Sequence, residues 1–262
     1  MARHAARTVL VALALLALAV GCTADPGVRP TASAPVPKAP ATVPPEAATA
    51  WRPLAPLSGE QLRAALAPVA ELPPGTTTED EAPPSDATVA TIARAAQRKP
   101  ACAPVLDAMI EQSADSARLT YVTGDNILGN RTSVQLAGVP GGRARADFEA
   151  LRDAVHGGGC TSLRLNDRSG AEPLEVEPVA FQALEVPVVG FRLLSPTGAM
   201  DGRGGFTRLY LYAAVGDNRA VFYKGDDTAL APALPTGLVT AQIHRLVTAG
   251  ASPEPTPIAV TP

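Results

Sequence analysis

The sequence predicts an α+β fold, a single domain in which an antiparallel β-sheet carries helices packed on one face. Three observations predict it. Helical patterns gather early in the domain, alternating runs joined by short turns dominate its later part, and an amphipathic stretch closes it. No internal repeat interrupts this order.

The first helix opens in "LSGEQLRAALAPV". Ser58 can cap it, Gln61 stands where a capping box needs it, and Leu57 can staple to Leu62. Leu62, Leu66 and Val69 then share one helical face. The acidic, Pro-rich stretch Glu79–Pro84 reads as a loop. Ser85 next precedes a second helix with Val89 and Ile92, which Pro100 ends. A third helix begins near Cys102 and carries Val105, Leu106, Met109 and Ile110.

Strand signals follow in "ARLTYVT" and "RTSVQLA". In the second, Thr132, Val134 and Leu136 alternate with Arg131, Ser133 and Gln135, as a half-buried strand requires, and a hairpin around Gly124–Gly129 would join the two. "ADFEALRDAVHGGGC" is the clearest helix. Phe148, Leu151 and Val155 form its stripe, His156 lies in its last turn, glycines stop it, and Cys160 starts the next strand. "PVVGFRLLS", "FTRLYLYAAV" and "NRAVFYKG" are further strands, the last two joined by a tight turn at Gly216, Asp217 and Asn218. Leu238–Val247 ends the domain as a helix whose Val239, Ile243, Leu246 and Val247 can cover a sheet.

The ends of the chain have a different chemistry. Arg3, His4 and Arg7 precede the apolar run Val9–Val20, which is shorter than the ~20 residues a membrane helix needs and reads as a secretory signal. It closes on Ala19, Val20, Gly21 and Cys22, an arrangement that resembles a bacterial lipobox, so residues 1–21 are expected to be cleaved and Cys22 to be lipidated. Two acyl chains anchor stably where one does not. Residues 22–50 are almost wholly Pro, Ala, Thr, Val and Ser and read as a semi-extended spacer, with the packed domain at 51–251 and a second Pro-rich, disordered tail at 252–262.

The chain has three cysteines. Assigning Cys22 to lipid leaves Cys102 and Cys160 as an even pair in an oxidising compartment, so one disulfide between them is expected. Chain entropy alone would make such a bridge worth about 4 kcal/mol. A metal site is the rival reading, but two cysteines without neighbouring histidines do not supply the ligand set of a zinc centre.

A formal net charge of −3 with scattered basic residues carries no electrostatic footprint for nucleic acid. Catalytic signals are equally thin. Outside the leader only His156 and His244 remain, the first suited to a helix C-terminus and the second beside Arg245, away from its helix's apolar stripe. No nucleophile elbow, zinc-protease pair or phosphate-binding loop occurs, and no cofactor is expected. "DGRGG" at Asp201–Gly205 lacks the Lys-Ser/Thr of a phosphate loop, and Asp226 with Asp227 lacks the spaced oxygens of a calcium loop; both read as turns. The candidate binding strip is "TRLYLYA". Its Arg208, Tyr210 and Tyr212 share one face of a strand while Leu209 and Leu211 share the other. With the leucines inward, the aromatic and cationic residues form an exposed surface of the composition that interfaces favour.

The order of elements, namely "LPPGT", the helix "CAPVLDAM", paired strands, "ADFEALRDAVHGGGC", "LYLYAAVGDNRAVFYKG" and a terminal helix, resembles that of actinobacterial sensor-domain lipoproteins. These are related to the extracellular sensor domain of mycobacterial serine/threonine protein kinases. The resemblance implies a helix-decorated antiparallel sheet with a cleft for an extracellular ligand. In the kinase branch it implies two disulfides, whereas this chain can form only one, and no ligand-binding residue carries over. The expected function is therefore a membrane-anchored, non-enzymatic, sensor-like lipoprotein that binds an envelope ligand or protein. A carrier of lipid or glycolipid is the alternative, and it requires an apolar cavity of several hundred Å³.

Overall fold

The computed structural model describes residues 51, 53–110, 112–123, 130–166, 173–195, 207–226 and 232–251, all within one unit, Val43–Pro262. The leader, Cys22, the spacer, Asp201–Gly205, Asp227 and the tail lie outside the described residues.

Helix α1 spans Gly59–Ala65, and the capping box forms as its sequence predicts. Gln61 N–H donates to Ser58 Oγ at 3.4 Å while Ser58 N–H donates to Gln61 Oε1 at 2.9 Å. The helix ends at the Leu66 cap, ahead of Pro68, so Val69 falls in a following 3-10 turn and is 39% exposed instead of extending the apolar face. Helix α2 spans Asp86–Arg98 behind Ser85, whose hydroxyl accepts from Thr88 N–H, and helix α3 spans Ala103–Ala108, with Met109 and Ile110 just beyond it. Helix α4 spans Ala144–His156 and α5 spans Thr236–Ala251.

Among the described residues, eight strands form one antiparallel sheet: β1 Thr76–Asp80, β2 Ser116–Thr123, β3 Arg131–Gly138, β4 Ser162–Leu163, β5 Leu174–Val179, β6 Val188–Leu194, β7 Thr207–Val215 and β8 Asn218–Asp226. Their order is β1-β2-β3-β8-β7-β6-β5-β4. Two strands are additions to the sequence-based expectation. β1 is a threonine run that its acidic end disguises as loop. In β5, Leu174 and Val176 alternate with Glu175 and Glu177 between two prolines, and Pro178 is tolerated because the short partner β4 pairs only with Leu174 and Glu175.

The α+β class and the antiparallel sheet agree with expectation, but the helices cover both faces, not one. Leu62 and Ala65 of α1 and Leu238, Val239, Ile243 and Leu246 of α5 pack on Leu209, Leu211, Ala213 and Phe222. Ile92, Val105, Leu106, Phe148 and Leu151 of α2, α3 and α4 pack on the other face with Val189, Phe191, Tyr210 and Tyr212. The reason is the number of helices. The first and last pair with each other on one side, as their shared polar clamp shows, which leaves the three middle helices for the other. In that clamp Gln242, fully buried on α5, donates Nε2–H to Ala65 O at 2.8 Å and accepts from Ala67 N–H at 3.0 Å, while the Tyr121 hydroxyl of β2 donates to Ala67 O at 2.8 Å. The backbone groups freed where α1 stops are thus satisfied away from water.

Cys102 and Cys160 are joined by a disulfide with a Cα–Cα distance of 4.9 Å across a sequence separation of 58, as their pairing predicts. The bridge ties the start of α3 to the chain just ahead of β4. Replacing both cysteines with alanine should lower unfolding free energy by about 2–5 kcal/mol, measured by denaturant titration; an unchanged midpoint would mean the bridge constrains little.

Tyr121 yields a second expectation. Burial pushes its phenol up to about 12 from 10.0, an effect that the charge of Arg245 only partly offsets. A phenol raised in the folded state contributes stability that is complete below the unfolded value of 10 and is lost as pH climbs toward 12. Urea midpoints recorded across that window should fall more steeply for the parent chain than for Tyr121→Phe, and parallel curves would contradict the assignment.

Candidate functional site

The site is built on the face beneath α2, α3 and α4, where antiparallel register aligns one side chain per strand. Phe191, Tyr210 and Tyr223 stand side by side on β6, β7 and β8, and their rings stack with centroids 5.0 Å apart on both sides of Tyr210. Ser133 on β3 and Thr120 on β2 continue the same line, and their hydroxyls hydrogen-bond at 3.1 Å. The line therefore drops from three rings to two hydroxyls, and Tyr223, half-buried, stands at the edge of the drop.

A cleft of about 470 Å³ opens at this step between the sheet and α2. Tyr210 and Tyr223 wall it, Ala87, Thr88 and Thr91 of α2 overhang it, and Ile92, Met109, Ile110 and Leu165 give it apolar surface. Three polar side chains complete it: Glu81, Gln135 and Arg208. Glu81 comes from the link between β1 and α2 and is held in place. Its Oε1 accepts from Gln135 Nε2–H at 3.0 Å and its Oε2 from the Thr120 hydroxyl at 3.3 Å. Arg208 hydrogen-bonds to the Tyr210 hydroxyl, and that contact, with the charge of Arg208, opposes the burial and the neighbouring Tyr223 that together push the Tyr210 phenol upward.

The roof is fixed to the sheet edge. Lys99, capping α2, donates Nζ–H to Ser162 O of β4 at 2.7 Å, and Arg98 reaches Arg164 O at 3.2 Å beside the disulfide. With α2 and α3 stapled in this way, the cleft has the concave, mostly apolar form with a few polar groups that small-ligand sites take.

The predicted strip is divided by this geometry. Arg208 is half-buried and Tyr210 forms the cleft wall, but Tyr210 is only 4% exposed and Tyr212 2% exposed. Tyr212 packs on Phe148 of α4 at 6.2 Å between ring centroids. An exposed aromatic face is thus corrected to a buried one, because helices cover β7 from both sides. His156 ends α4, and His244 lies on α5, 3.6 Å from Glu185, far from the cleft in the fold. Asp226 is the last residue of β8. Among the described residues, no three His, Cys, Asp or Glu side chains are placed to hold a metal ion, and no helix is long and apolar enough to cross a membrane.

Glu81, Gln135 and Tyr223 are cleft residues that sequence reasoning did not single out. Tyr223 was within reach: the turn that pairs Val215 with Asn218 sets Tyr210 opposite Tyr223. Glu81 and Gln135 belong to separate segments whose meeting no local pattern announces.

No protein-family model matches the sequence, and no curated protein resembles it closely enough to count as a match. Among solved structures, the extracellular domain of PknH from Mycobacterium tuberculosis is similar, at 12% identity and a TM-score of 0.41, over 74% of this chain and 96% of that one. A Mycobacterium smegmatis protein, the Rv0999 ortholog, is similar at 12% identity and a TM-score of 0.33, over 69% of this chain and 90% of that one. The structural neighbours are thus mycobacterial, and one is a kinase's extracellular domain; no residue role passes from either to this chain.

Burial of the tyrosines reverses the expectation for their replacement. The double substitution Tyr210→Ser with Tyr212→Ser should cost at least about 3 kcal/mol, in the range of large-to-small core changes, when unfolding is followed by circular dichroism. A variant as stable as the parent would return the strip to the surface.

Proposed function

We propose that this chain is a lipid-anchored, extracytoplasmic, non-enzymatic binding protein whose sensor-like domain takes an envelope ligand in the α2 cleft. The single observation that carries the reading is the cleft itself: a preformed space of about 470 Å³ with an aromatic wall, apolar surface and charged side chains from separate elements. The disulfide supports an oxidising compartment. The leader and Cys22 supply the route to the membrane, and residues 22–50 supply the spacer. Nucleic acid has no place among the partners, given the charge of −3.

A carrier of lipid or glycolipid is the second reading, and Ile92, Met109, Ile110 and Leu165 favour it. Glu81 and Arg208 together weigh against it, since an acidic lipid headgroup meets Arg208 but leaves Glu81 without a counterpart in the ligand.

Native mass spectrometry of the full chain, purified in detergent from its host's membranes, tests the proposal. A retained small molecule that is lost from Ala87→Trp, where an exposed residue of α2 is enlarged into the cleft mouth, is the expected result. A retained mass indifferent to that substitution places binding elsewhere, and an acyl-lipid mass selects the carrier. In the same preparation Cys22→Ala should move the chain out of the detergent phase; full retention there would overturn the anchor.

A further inference from the structure

The polar groups of the cleft are not scattered. The register places them at its two ends, with opposite charge. Gln135 pairs with Val221, and Val221 with Tyr212, while Arg208 lies four residues back from Tyr212 along β7. Arg208 and Gln135 are therefore separated by about 13 Å along the strand direction, with the Tyr210–Tyr223 pair between them. Glu81 lies over β2 and β3, on the Gln135 side of the cleft and across β8 from Arg208, bonded to the Gln135 amide and to the Thr120 hydroxyl, which is level with Tyr210.

The cleft is thus cationic at one end, anionic at the other, and aromatic and aliphatic in the middle. A neutral sugar matches neither end charge, and a fatty acid or phosphorylated lipid matches only the Arg208 end. A ligand carrying one charge of each sign, separated by an apolar body, matches all three parts.

We propose that the ligand is a short peptide with free ends, its carboxylate facing Arg208, its ammonium facing Glu81 and Gln135, and its central side chain against Ile92, Met109 and Ile110. This rests on the cleft reading above. The dimensions agree: β8 lies between β7 and β3, so two strand spacings add to the offset along the strands and the backbone positions of Arg208 and Gln135 are about 16 Å apart, and their side chains, reaching inward, leave a span close to the roughly 10 Å of an extended tripeptide. A guanidinium presents five N–H donors, so it can hold a carboxylate as well as the Tyr210 hydroxyl, and a carboxylate has about four acceptor sites, so Glu81 can take an ammonium as well as Gln135 and Thr120. The bonds that hold Glu81 preorganise it for that contact.

Isothermal titration calorimetry on the full chain tests the class with alanyl-leucyl-alanine and with its N-acetylated and C-amidated forms. Either cap should weaken binding at least about tenfold, the loss expected when a charge-assisted contact is removed. Glu81→Gln should abolish the penalty of N-acetylation while preserving that of amidation, and Arg208→Gln should do the reverse. Should Arg208→Gln fold poorly, the capped peptides on the parent chain and on Glu81→Gln still decide. Equal affinity for free and capped forms, or no heat at millimolar peptide, overturns the peptide class. The cleft reading survives that result if the Ala87→Trp-sensitive mass is found, so the two failures are distinguishable.

Discussion

The structure depends on the burial of β7 on both its faces. Every residue from Leu209 to Val215 is buried, alternate side chains meeting α1 and α5 on one side and α2, α3 and α4 on the other. An antiparallel strand usually shows water one face, so a strand that shows it neither demands two layers of helix. The chain supplies them from different places in its length: its ends build one layer and its middle the other. That division forces α1 and α5 together, and Gln242 and Tyr121 are the buried polar groups that make their meeting possible without leaving the end of α1 unsatisfied.

The cleft is a consequence of how far this covering extends. Over β6, β7 and β8 the face beneath the middle helices is mainly aromatic and aliphatic, with Arg208 and Arg219 towards its ends; over β1, β2 and β3 it carries Glu79, Thr120, Ser133, Gln135 and Arg131. Helices follow apolar surface, since that is where burial is favourable, at roughly 25 cal/mol per Å². The layer therefore ends near β8, and the step at Tyr223 is the boundary between the two halves. A cleft at such a boundary acquires an apolar wall from one side and the polar Glu81 and Gln135 from the other, with Arg208 at the edge of the apolar half.

Rigidity at the roof has its own origin. The Cys102–Cys160 bridge, Lys99 and Arg98 fasten α2 and α3 to β4 and the segment that follows it, and Leu165 of that segment also borders the cleft. The bridge thus shapes the cleft as well as the fold, because the helices it holds are the ones that border it. At the opposite end of β7 and β8 the incoming chain is held as firmly: Asn218, fully buried, accepts from Leu57 N–H at 2.7 Å and donates to Ala55 O at 2.8 Å. Gly216, with φ of +57°, leaves room there for Leu54, whose backbone nitrogen would lie 2.5 Å from any Cβ at that position.

The sequence by itself determined the α+β class, the capping box at Ser58, the helix ending at His156, the β7–β8 turn and the cysteine pair, because each is written in neighbouring residues or in a count. Elements with mixed signals were lost: β1, hidden by its acids, and β5, hidden by its prolines. Tertiary structure alone decided which faces were dry. Alternation in "TRLYLYA" separates two sides of a strand but is the same whether one side or both are covered, so the pattern alone does not tell a surface Tyr210 and Tyr212 from buried ones. Likewise the meeting of Glu81, Gln135 and Arg208 depends on β8 lying between β3 and β7, a strand order with no local signature. Periodicity reports the geometry of one element against an unspecified neighbour, and the identity of that neighbour is a property of the whole chain.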